Sequence, residues 1–200
     1  MGSFYTSHTV RGPSRQDVLD WLGGRPAFVS AAENGNVTVL DEACESQDPQ
    51  QLADLGSALS ARFDCPVLAV VNHDDDLLYM ALFEHGHLTD QYDSSPGLFD
   101  DEWDDENDGG EEGGAHGENG MPTPQGGDAA RLTAAFGGDA AAVEMALRRT
   151  DLVFAHQRHT ALAEALGLPL AGVNIGYEYA QAGDWPSPAS SDAFVHTGGL

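Results

Sequence analysis

The sequence predicts an α+β fold: a mostly antiparallel sheet in the order strand, helix, two strands, helix, three strands, with helices on one face, then a helical segment and a last strand. Three observations predict it. Short apolar runs rich in β-branched and aromatic residues are bounded by Gly, Asn and Asp; the tight-turn dipeptide Asn34-Gly35 joins two of them; and two intervening segments carry apolar residues at helical spacing.

Residues 4–10 have the composition of a first strand, which Gly12-Pro13 ends. Ser14 with Asp17 three positions later is the signature of a capped helix, whose apolar face is Val18, Leu19, Trp21 and Leu22 and whose stop is Gly23-Gly24. Residues 27–31 and 37–41 form a hairpin because Asn34-Gly35 tolerates the positive φ of a tight turn. Asp48-Pro49 opens a second helix with Leu52, Leu55, Leu59 and Phe63 on one side. Residues 65–71 are apolar without alternation, as in a strand covered on both faces, and residues 77–84 and 88–92 continue a meander.

From Asp100 to Glu118 there are ten acids and no basic residue, so this stretch buries too little apolar surface to offset chain entropy, and residues 104–125 are expected to be disordered. Residues 129–136, 140–149 and 154–166 read as helices, and residues 172–179 as a strand with Val173, Ile175, Tyr177 and Tyr179 on one side. The organisation expected is an α+β core over 1–99, an acidic Gly-rich linker over 100–127, a helical segment with a final strand packing on the core over 128–183, and a loose tail over 184–200.

Acids outnumber bases 33 to 8, for a net charge of −25. Such a surface repels phosphate backbones and excludes direct nucleic-acid binding, while it favours basic proteins or divalent cations. All eight bases are arginines, and the absence of lysine excludes a Walker A phosphate site, a Schiff-base lysine and a Ser-x-x-Lys nucleophile. The two cysteines, Cys44 and Cys65, have no zinc-type spacing and are expected to be reduced and inert. No signal-peptide pattern or membrane-length apolar run is seen, so a cytoplasmic, membrane-free protein is expected.

The densest chemistry is Asn72-His73-Asp74-Asp75-Asp76, where His73, Asp74, Asp75 and Asp76 form a candidate divalent-cation site: hard oxygen donors at a turn, with an imidazole as titrating base. Competing with this is a solvated turn, since Asp and Asn favour turns for local hydrogen-bonding reasons. His85 and His87 would share a strand face only if His85-Gly86 were not a turn, and His156 and His159 lack the Glu of a helical zinc motif. The acidic stretch fails the EF-hand register, with Ala115 where a bidentate glutamate belongs. No nucleophile elbow or dinucleotide fingerprint occurs. The leading expectation is therefore a non-enzymatic interaction or regulatory protein that binds a basic protein partner. Alternatives are a divalent-metal-binding protein or metal-dependent hydrolase at the His73–Asp76 turn, and a nucleic-acid mimic.

Overall fold

A computed structural model describes residues 2–96, 123–149 and 151–198. The strands are β1 (Tyr5–Arg11), β2 (Ala27–Ser30), β3 (Asn36–Asp41), β4 (Val67–His73), β5 (Leu77–Glu84), β6 (His87–Asp93), β7 (Gln125–Gly126) and β8 (Phe194–His196). They form one antiparallel sheet in the order β7-β6-β5-β4-β1-β3-β2-β8. The helices are α1 (Arg15–Leu22), α2 (Pro49–Phe63), α3 (Ala129–Phe136), α4 (Ala140–Arg148), α5 (Ala155–Leu166), α6 (Tyr177–Ala182) and α7 (Pro188–Ala193). The α+β class read from the sequence is the class observed.

Helix starts follow from local hydrogen bonding. Ser14 and Asp17 make a complete capping box on α1, and Asp48 accepts from the Gln50 and Gln51 amides at the start of α2, where Pro49 needs no partner for its missing N–H. Asp128 and Asp139 cap α3 and α4 in the same way.

Because side chains alternate along a strand, each central strand feeds two cores. Val67, Ala69 and Val71 of β4 pack under α1 and α2 with Val10, Val37, Leu55 and Leu59. Leu68 and Val70 face the opposite layer, with Leu78 and Met80 of β5 and Leu132, Leu147 and Leu162 of the C-terminal helices. The first two helices do share one face, and the C-terminal helical segment covers the other. A third cluster on that second face joins Leu40, Ile175, Tyr177, Ala180 and Phe194.

Three expectations are corrected. Residues 172–179 are not a strand: Leu170–Gly172 is a 3-10 turn, Asn174 has φ 58°, and Tyr177 starts α6. A left-handed residue breaks the extended run, and Val173 and Ile175 point into the core from a loop. The tail expected to be loose forms α7 and β8, with β8 pairing β2 through Phe28↔His196 and Ser30↔Phe194. Gln125, placed in the linker, pairs Asp93 in the sheet. Of the disorder expected over 104–125, the part over 104–122 falls on residues outside those described.

Candidate functional site

The end of the sheet where β1 begins and β4 ends gathers the most polar chemistry. The β4–β5 turn carries Asp74 and Asp75 at φ 51° and 60°, a left-handed pair that Asp tolerates better than branched residues do. This conformation directs the Asp75 carboxylate toward the chain start and α5. Its Oδ1 accepts from Ser3 Oγ at 2.8 Å, Asn72 Nδ2 at 2.9 Å and His156 Nδ1 at 2.9 Å, while Oδ2 has a longer contact of 3.4 Å from the Ser3 amide. The Asp75 carbonyl accepts from the Ala155 amide at 2.7 Å, which ties the turn to the start of α5.

Partial burial pushes the Asp75 carboxyl up, but donation from Asn72, His156 and Ser3 outweighs that and holds it below the ordinary carboxylate range. The carboxylate, which only accepts, takes the Nδ1 proton of His156 and so fixes the orientation of the ring. Ser3 bonds the carboxylate and not the imidazole, so the Ser-His-Asp relay of a hydrolase, in which histidine stands between the other two, is not formed.

The four residues singled out in the sequence are distributed among separate partners. His73 Nδ1 donates to Gln47 Oε1 at 2.7 Å and meets the edge of Phe4 at 4.9 Å between ring centroids. Asp74 Oδ1 accepts from the Gly2 amide at 3.0 Å. The Asp76 amide bonds the His73 carbonyl and its own carbonyl accepts from Ser95 Oγ. Only Asp75 enters the cleft described below. Among the described residues no group of three or more His, Cys, Asp or Glu side chains is placed to hold a metal ion.

Sequence reasoning missed His156 and its neighbours. His156, Asn174, Tyr179 and Asp184 join Ser3 and Asp75 around a cleft of about 400 Å³. Beneath it, Tyr5 bonds His159 Nδ1 at 2.8 Å; burial keeps the phenol protonated and pushes the imidazole down to about 4, so the hydroxyl donates. Beside it, Glu45 accepts from the Tyr177 amide at 2.6 Å, and burial, with the neighbouring Glu178 charge adding, raises its carboxyl to about 7.

The other candidates resolve simply. His85 has φ 53° and Gly86 φ 80°, the turn geometry, and His85 pairs with Asp64 at 2.7 Å. Both cysteines are free thiols raised by burial, Cys65 to about 11 and Cys44 further. No helix among the described residues is long and apolar enough to cross a membrane.

All eight arginines lie among the described residues, and each is held by the chain's own groups. Arg25, Arg131, Arg148 and Arg149 pair with Asp41, Glu84, Glu144 and Asp151. Arg158 donates to the carbonyls of Ala146, Leu147 and Arg149, Arg11 to Phe136, and Arg15 to Ala193, while Arg62 lies 5.4 Å over the Phe63 ring. Neither a family model, nor a curated protein, nor a solved structure matches this chain.

Proposed function

We propose that this protein is a non-enzymatic binding module whose negative surface engages a basic protein partner. The observation that supports this reading is the internal engagement of every arginine. Half of them pair with single carboxylates and the rest brace carbonyls or a ring, so among the described residues four of the eight arginines are engaged with acids that number 33 in the whole sequence. A field of one sign accelerates encounter with an oppositely charged partner and rejects anionic ones.

The test is retention on the immobilised full chain. At about 50 mM salt a basic protein is expected to bind at unit stoichiometry and to leave as salt rises to about 0.5 M, where screening acts within a few ångströms. Retention of nothing, or of proteins indifferent to salt, would remove the reading. The rival is a divalent cation on the His73–Asp76 turn. Calorimetric uptake of one Ca²⁺ or Mn²⁺, lost in Asp75→Asn, would favour it, and it would require several side chains to leave the partners they hold now.

A further inference from the structure

The cleft beside α5 has a definite chemical preference. Its volume of about 400 Å³ lies within the range of roughly 300–1,000 Å³ of small-ligand sites. Its lining includes Asp75, Asp184, His156 and Tyr179, and no arginine is among the lining residues. Acceptors are placed to be used. Asp75 Oδ1 is committed to three donors, while Oδ2 keeps acceptor capacity, having among the described residues only the long Ser3 amide contact. His156 is anchored through Nδ1 to Asp75 and holds that carboxylate in place. Asp184 stands exposed at the rim on a backbone held by its amide bond to the Tyr179 carbonyl, 2.9 Å. Tyr179 is half-buried and packs against the third core cluster.

We propose that this cleft receives the guanidinium of an arginine side chain presented by the basic partner, a proposal that rests on the binding-module reading above. A guanidinium has five N–H donors in a planar fork, which suits several separated acceptors better than a point-like ammonium does, and its face stacks on a tyrosine ring. The carboxylates supply charge-assisted hydrogen bonds, and the pre-set Asp75–His156 pair limits the ordering cost on binding.

The probe is Nα-acetyl-arginine amide, titrated into the full chain and followed by the backbone amide resonances of Ser3, Asn174 and His156. Saturable shifts centred on these residues are expected, with the neutral isostere Nα-acetyl-citrulline amide binding about ten-fold more weakly or not at all. Asp184→Asn, at an exposed rim position that the fold does not need, should weaken the arginine probe several-fold with the rest of the spectrum unchanged. Equal binding of the two probes, absence of saturable shifts, or indifference to Asp184→Asn would each overturn the pocket. If the full chain still retains a basic protein in a salt-dependent way, the pocket alone falls; if that retention also fails, the binding-module reading falls with it.

Discussion

At the scale of single residues, buried charge and buried imidazole set the sharpest expectations. The Asp41 side chain is fully buried and accepts from Arg25 at 2.7 Å, whereas Arg25 keeps 40% exposure. Arg25→Ala leaves an uncompensated carboxylate in the interior, and a loss of about 2–3 kcal/mol is expected by urea denaturation, less than for a wholly buried pair because the guanidinium is partly screened. Asp41→Asn in the Arg25→Ala background should recover part of it.

His8 donates to the Leu52 carbonyl, and burial pushes it down to about 4, as it does His159. Between pH about 6.5 and 4 the unfolded chain binds a proton on each histidine and the folded chain does not, so acid destabilises. Glu45 acts oppositely: its folded value of about 7 against an ordinary 4.5 means the folded chain alone holds that proton in between. Two protons against one leave a net loss of about 1.4 kcal/mol per pH unit between roughly pH 6 and 5. Glu45→Gln, which mimics the protonated form throughout, should double that slope in urea titrations; an unchanged slope would show that Glu45 is ionised in the folded chain.

The turn residues of the candidate site were visible in the sequence because Asp and Asn mark turns locally. His156 was not assigned to it, since its partner Asp75 is 81 positions away and only the packing of α5 on the sheet brings them together. Its weak signal was an imidazole near a helix start with no zinc-type companion.

At the scale of elements, α2 shows how packing overrides propensity. Gly56 lies in its middle, where alanine would favour the helix by up to about 1 kcal/mol, yet a Cβ there would come within 2.6 Å of the Phe83 ring. The clash should win, and Gly56→Ala is expected to destabilise by about 1–2 kcal/mol, measured as a lowered urea midpoint. The capped helices, the Asn34-Gly35 hairpin and the meander were legible because their signals are local. Residues 172–179 misled because two-residue alternation of Val173, Ile175 and Tyr177 also arises when a loop dips into a core, and the left-handed Asn174 gives no sequence mark that separates it from an Asn in a strand.

At the scale of the whole molecule, the sheet is finished by very short outer strands, β7 with two residues and β8 with three. Short edges limit pairing between copies. Removing residues 187–200 strips β8 from β2 and Phe194 from the third core cluster, so the truncated chain should self-associate, seen as a concentration-dependent mass in light scattering; a monodisperse monomer would contradict this role. Apolar runs without alternation correctly signalled cover on both faces, but the sequence did not show that the second cover comes from helices separated from the core by the acidic stretch.

The strand order also bears on how the chain assembles. β1 sits between β3 and β4, and its register with β4 joins residues some sixty positions apart, as in Val10↔Val67 and Thr6↔Val71. A nascent chain therefore has a buried central strand ready long before one of its neighbours leaves the ribosome, and closure over so many residues is entropically slow. Refolding in milliseconds to seconds follows from that separation, along with a window in which β1 is exposed and the acidity of the chain, by mutual repulsion, keeps unfinished copies apart.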